Sequence, residues 1–167
     1  MNQRANLYLI DTPAPGRLAT MARPRGGDRL AEEMAGLREA GVDVLVSALC
    51  TDECQLLDLV AEADAARAAG LDFVGFPFLD GTAPTAEMAE AVGRLADQLT
   101  EELRQGRFVV THCRAGIGRS SILAGTVLVR LGLSPAEAWT RIRAARGLPV
   151  PDNLAQELWL HAFATDS

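Results

Sequence analysis

The chain is short of the residues that build metal centres and disulfide frameworks. It holds only two histidines, His112 and His161, and three cysteines, Cys50, Cys54 and Cys113, with no zinc-ligand spacing among them. No metal and no cofactor is expected. Three thiols make an odd set and a poor disulfide framework, which fits a reducing compartment, and a cytoplasmic location is expected. No apolar run approaches the ~20 residues of a membrane span. Met1 to Asn6 lead into four apolar residues, Leu7 to Ile10, too few for the apolar region of a signal peptide. Basic residues are outnumbered, 16 against 22 acidic, and the net charge of −6 argues against nucleic acid or an anionic membrane as the main partner. It does not exclude a phosphorylated substrate, because a local pocket can be positive on an acidic protein. Internal repeats, low-complexity segments and linkers are also lacking.

What remains is an ordinary globular composition, 49% apolar and 23% charged, over 167 residues. That length is read as one domain, 1–167, with a core of useful size. Leu7 to Ile10 reads as a strand, followed by a Pro/Gly turn at 11–16 and a strand at 17–21 that can pair back. Asp28 is placed to cap a helix marked by Leu30, Met34 and Leu37 and ended at Gly41. Val42 to Val46 is a buried strand, Thr51 to Ala69 one helix, and 71–76 the next strand. Thr85 is placed to cap a long helix through Val92, Leu95, Leu99 and Leu103 that stops at Gly106. Strand 107–111 follows, then a helical pattern from Ser121 to Val129. Ser134-Pro135-Ala136-Glu137 has the form of a capping box with proline at the first helical position, and a last helix runs from about Asn153 to Phe163. Strands alternating with helices predict an α/β domain, a mostly parallel central sheet of about five strands with helices on both faces.

One stretch stands apart, His112-Cys113-Arg114-Ala115-Gly116-Ile117-Gly118-Arg119-Ser120, between an apolar strand and a helix. A tight strand-to-helix turn aims backbone N–H groups and the positive end of a helix at one spot. Glycines at 116 and 118 let several N–H groups turn inward, and an anion cradle lined by residues 114–118 results. A thiol acts as a nucleophile through its thiolate, which such a cradle favours. Arg119 can grip two phosphoryl oxygens bidentately, which lysine cannot. Cysteine and arginine six apart mean little alone. The full set, with His at −1, Gly at +3 and +5 and a hydroxyl at +7, arises by chance roughly once in a million cysteines at average residue usage. In-line attack by Cys113 on phosphorus would give a cysteinyl-phosphate.

The stretch resembles the signature loop of the cysteine-dependent protein phosphatases, His-Cys-x-x-Gly-x-x-Arg-Ser/Thr. The Ala-Gly-x-Gly-Arg-Ser form is that of their tyrosine and dual-specificity branches. The resemblance runs from about Gly26 to Phe163, and the layout is most like the kinase-associated and bacterial dual-specificity-like group. It implies that Ser120 hydrogen-bonds the sulfur and favours its departure, and that His112 orients the loop. For His112 the residues alone allow an ordinary satisfied histidine at a strand end.

Phosphoester cleavage also needs a carboxylic acid to protonate the leaving oxygen and later activate water. Asp80, in the loop Pro77-Phe78-Leu79-Asp80-Gly81, is the best placed, and Asp72 and Asp97 are worse. The kinase-associated group carries its acid in a similar Pro-x-x-Asp-Gly loop; an ordinary Asp-Gly turn is the plain alternative. By the same resemblance Glu53 pairs with the signature arginine, Gln156 positions water, and Cys50 captures an oxidised Cys113 as a disulfide. The plain readings are a first-turn glutamate favoured by the helix dipole, a solvated helix residue, and a small buried apolar residue. Arg23 and Arg25 either extend the anion pocket or are surface arginines. Cys54 is read as a helix-face residue, His161 as surface, and Tyr8, Trp139, Trp159 and Phe163 as core or cover.

The expected activity is a metal-independent phosphomonoesterase on phosphotyrosine, with phosphoserine and phosphothreonine, in proteins. The resemblance carries the breadth, because a chain this short leaves no room for the segment that deepens the pocket of strict tyrosine phosphatases. The alternatives are a phosphoinositide or small-molecule phosphatase, disfavoured by Ala115 and Ile117 where lipid-directed relatives usually carry lysine, and a phosphate-binding module without turnover. Sulfur transfer suits the Arg119-Ser120 ending poorly.

Overall fold

The apolar runs join in a single five-stranded sheet. The computed structural model describes residues 5–166. Strands β1 (Tyr8–Ile10), β2 (Arg17–Met21), β3 (Val44–Ser47), β4 (Asp72–Gly75) and β5 (Phe108–His112) lie in the order β1-β2-β5-β3-β4. β1 runs antiparallel to β2, and every other pairing is parallel. The sheet is thus mostly parallel, as the alternation of elements predicts.

Alternation along each strand splits the core in two. Leu18, Val44, Val46 and Val109 face one side with α4 (Ala89–Arg104), α5 (Arg119–Arg130), α6 (Pro135–Arg146) and α7 (Leu154–Thr165). Ala19, Leu45 and Val110 face the other with α1 (Leu30–Glu39) and α3 (Glu62–Ala68). A parallel sheet covered on both faces explains why β3 and β5 are apolar on both sides at 44–46 and 108–110. α5 is buried from Arg119 to Leu128, a helix enclosed on all sides. Gly125 admits α7 closely, since a side chain there would meet Leu160 Cδ2 at 2.7 Å. Among the described residues no helix is long and apolar enough to cross a membrane.

Several local expectations need correction. The helix expected over 51–69 is two, α2 (Thr51–Leu56) and α3. Asp58 takes a left-handed conformation (φ 58°), and Leu59 folds back to bond the Cys54 carbonyl and buries its side chain. The Asp58 carbonyl also accepts from Gly27, tying the break to the loop before α1. Asp28 lies inside a 3₁₀ turn (Gly27–Arg29) and does not cap α1. Thr85 makes no side-chain cap: a 3₁₀ turn (Ala86–Met88), closed by the Met88 N–H on the Thr85 carbonyl, precedes α4. At Ser134 only half of the capping box forms, because the Glu137 carboxylate turns to Arg141 (2.9 Å).

What the topology positions is one edge. Met21 and Ser47 both stand level with His112, so the loops after β2, β3 and β5 leave from neighbouring points. In open α/β sheets the crevice at this edge is where ligands bind.

Candidate active site

β5 delivers His112 and Cys113 to that edge, and α5 begins six residues after the thiol. Cys113 is buried and its thiol donates to Ser120 Oγ at 3.3 Å. The loop is compressed at two glycines. Gly116 is left-handed (φ 71°), and a side chain there would lie 2.8 Å from the backbone of Met21 and Ala22. At Gly118 a side chain would collide with the Asp152 carboxylate and meet Gln156 Nε2 at 2.9 Å. Outward carbonyls of the loop are bound from behind. Arg146, stacked on the Tyr8 ring at 4.1 Å, donates from Nε to Gly116 O (3.1 Å) and from Nη2 to Ala115 O (3.4 Å). The Arg23 N–H bonds Arg114 O at 3.1 Å. Carbonyls held outward leave the N–H side of the loop turned in.

Arg119 is fully buried. Nη1 donates to Glu53 Oε1 (2.6 Å) and Nη2 to Glu53 Oε2 (2.8 Å), a bidentate pair, and Nη1 also reaches Phe78 O at 3.2 Å. Its Nε, buried too, has no partner among the described residues. Burial works against the charge. The Glu53 hydrogen bond and the charges of Cys113, Glu53 and Asp80 outweigh it and raise the guanidinium above its ordinary value. The same hydrogen bonds, against the cost of burial, hold the Glu53 carboxyl below its ordinary value. Asp80 Oδ1 lies 3.5 Å from Arg119 Nη2, and its side chain is 63% exposed. Phe78, buried two residues earlier, anchors that loop. Asp72 and Asp97 are elsewhere, paired with Arg107 (2.7 Å) and Arg130 (2.9 Å).

The remaining candidates separate. Cys50 caps α2 and its N–H donates to Glu53 Oε1 (3.1 Å); desolvation, then the Glu53 charge, push its thiol up. Cys50, Cys54 and Cys113 are free thiols, and Cys54 packs toward the α1/α3 core. Arg114 is exposed at the rim. Arg25 is engaged with Glu33 at 2.7 Å, which turns its charge to α1. The plain reading of Gln156 as solvated needs correction: it is fully buried, because α7 turns this face with Leu160 inward. Its Nε2 donates to Thr82 O (3.0 Å), and Asn153 Nδ2 donates to Gly81 O (2.9 Å), so the start of α7 grips the Asp80 loop. Trp139 is core, whereas Trp159 and Phe163 stack at 5.2 Å on the far side of α7.

Three residues at the site escaped sequence reasoning: Arg146, Asp152 and Glu62. Glu62 is buried on α3 with both carboxylate oxygens on His112 Nε2 (2.8 and 3.0 Å), while His112 Nδ1 contacts Cys113 O at 3.0 Å. A carbonyl only accepts, so Nδ1 carries a hydrogen, and the Nε2 contact needs a proton between ring and carboxylate. Glu62 therefore fixes the orientation of His112 under the loop. A signal existed, since Leu59, Glu62 and Ala66 follow one helical face and a carboxylate on an apolar face requires a partner. Glu62→Ala strands a buried ring nitrogen and is expected to cost about 1–3 kcal/mol in urea denaturation, with Glu62→Gln recovering part.

A thiol at the floor of a strand-to-helix cradle, an arginine fork and a carboxylate loop on a mostly parallel sheet define the cysteine-dependent dual-specificity phosphatase superfamily. Residues 19–133, more than half of the chain, match the family model described as polymorphic toxin system, DSP-PTPase phosphatase, and the chain belongs to that family. It is 28% identical over 166 residues to protein tyrosine phosphatase PRL-1 of Leishmania major, covering 95% of this chain and 81% of that protein. Among solved structures it resembles kinase associated phosphatase with its catalytic cysteine replaced by serine, at TM-score 0.88 and 19% identity over 99% of this chain and 97% of that one. PTPMT1 in complex with PI(5)P matches at TM-score 0.74 and 17% identity over 93% and 94%. At these identities the solved structures speak for the fold. Family and fold together support phosphatase activity and imply a phosphorylated substrate.

Proposed function

We propose that the chain is a metal-independent phosphomonoesterase that removes phosphate from phosphotyrosine, and from phosphoserine and phosphothreonine, in proteins. The observation that carries this reading is Arg119. Its outer nitrogens are fixed by Glu53, yet its buried Nε has no partner, and buried donors in folded proteins are nearly always paired. A phosphoryl oxygen supplies that partner beside Cys113. The thiolate attacks phosphorus, the P–O ester bond breaks, and Asp80 donates a proton to the departing oxygen. Loop amides and Arg119 hold the charge spread over the phosphoryl oxygens, which is most of the catalysis. Ser120, in contact with Sγ, eases the sulfur's departure in the second step.

The mouth favours a peptide over a multiply phosphorylated headgroup. Asp80 and Asp152 place two carboxylates there, which repel a second phosphate. Leu79, on the acid loop, is 68% exposed and offers apolar contact to a flanking side chain. The test is vanadate-sensitive, chelator-insensitive hydrolysis of an aryl phosphate, followed by comparison of phosphopeptides with inositol phosphates. Preference for inositol phosphates would reject the protein reading. Asp80→Asn is expected to slow aryl phosphate hydrolysis by about 10²–10⁴-fold and to remove one limb of the pH–rate profile.

A further inference from the structure

The loop before α7 places a second carboxylate on the cradle, and nothing in the first half-reaction uses it. Asp152 lies against Gly118, the residue just ahead of Arg119, so closely that the glycine cannot carry a side chain. Its backbone is held in place, the N–H donating to Gln156 Oε1 at 3.0 Å. The Gln156 amide spends one acceptor site on that bond and one N–H on Thr82 O, and being neutral it can orient a water but not take its proton. The Asp152 carboxylate, by contrast, makes no hydrogen bond or ion pair among the described residues. An acidic group without a partner beside an anion cradle weakens phosphate binding, so its presence calls for a chemical use.

We propose that Asp152 is a catalytic base of the second half-reaction, taking the proton of the water that releases phosphate from cysteinyl-phosphate. The inference rests on the phosphatase reading above. Water attacks phosphorus and the new P–O bond forms as the P–S bond breaks. The electron pair stays on Cys113 sulfur, which leaves as thiolate with Ser120 against it, and the water proton passes to Asp152. Because Asp152 is exposed, that proton returns to solvent between turnovers. Burial and two charged groups set its basicity. Desolvation against the loop and then the Asp80 charge push its carboxyl above the ordinary value, and the Arg119 charge opposes them. A carboxylate pushed upward is the better base near neutral pH. Asp80, 3.5 Å from the arginine fork, keeps the leaving group, and Asp152 takes over the water activation that the sequence reading gave to the same acid.

The experiment is rapid-mixing kinetics of wild type, Asp152→Asn and Asp80→Asn with an aryl phosphate, with trapping of labelled phosphoenzyme. Asp152→Asn is expected to release one equivalent of phenol in a burst and accumulate phosphoenzyme. Its kcat should fall by about 10²-fold or more and KM in proportion, leaving kcat/KM within about twofold of wild type. Asp80→Asn should lower kcat/KM without a burst. An Asp152→Asn variant with unchanged kcat, or one that loses kcat/KM with no trapped phosphoenzyme, overturns the assignment while leaving the phosphatase reading standing. A wild-type chain that hydrolyses no phosphoester overturns both. Asp152 is exposed, so the variant is expected to fold, which circular dichroism checks.

Discussion

Cys113→Ser is expected to bring aryl phosphate hydrolysis down to background while phosphopeptide and vanadate still bind. The exchange keeps size and hydrogen-bonding capacity at a buried position, so the cradle and its contact with Ser120 persist. What changes is the chemistry. A serine hydroxyl is a far weaker acid than a thiol, and a helix N-terminus with one guanidinium does not ionise it near pH 7. An alkoxide is also a much poorer leaving group than a thiolate, so any serine phosphate formed would not turn over. Steady-state hydrolysis and titration of a labelled phosphopeptide check the two halves separately. Hydrolysis that survives the substitution, or that appears only with added metal, rejects the cysteinyl-phosphate route. A wild type that binds phosphopeptide and releases no phosphate marks the chain as a binding module.

Much of this site was legible because it is local. Nine consecutive residues specify the cradle, and their glycines, thiol and arginine each have a reason that needs no tertiary information. The sheet was legible for a similar reason: β3 and β5 open on continuous apolar runs, 44–46 and 108–110, which a sheet covered on both faces explains. The failures are at breaks and across long separations. The end of α2 was hidden because a periodic pattern continues through Asp58, where burial of Leu59 and the tie to Gly27 override it. Gln156 reads as polar and therefore solvated, yet its amide accepts from Asp152 N–H before α7 and donates to Thr82 O on the Asp80 loop. Arg146 reads as a helix-end cation, and only the packing of α6 against β1 brings it behind Gly116. Asp152 carries no sequence signal, since its role depends on a contact with Gly118 across 34 residues that only the docked loop creates.

The Arg119 series is expected to separate charge from geometry. Arg119→Ala should lower kcat by about 10³–10⁵, the range for an arginine that stabilises phosphoryl-transfer charge, and Arg119→Lys should lose most of that although it keeps the charge. An ammonium can hold neither both Glu53 oxygens nor the two phosphoryl oxygens that a fork can grip. Stability should distinguish the variants in the opposite sense. Removing the guanidinium leaves Glu53 without its main partner, and breaking a buried pair costs about 3–5 kcal/mol. The Glu53 side chain is 16% exposed, so water relieves part of this and the low end of that range is expected for alanine, less for lysine. The pH dependence has a definite sign. The Arg119 hydrogen bonds, opposed by burial and helped by the Cys50 N–H and Arg114, hold Glu53 below its ordinary pKa of 4.5. Folding therefore gains from this group above about 4.5, and the gain is lost as pH falls through the lower folded value. In Arg119→Ala the same carboxyl keeps its burial and loses its chief stabiliser, so that gain shrinks or reverses. Urea denaturation from pH 3 to 7 should show a stability difference between wild type and Arg119→Ala that is largest above pH 4.5 and narrows in acid. A difference that stays constant with pH would mean that Glu53 and Arg119 do not share charge in the folded chain.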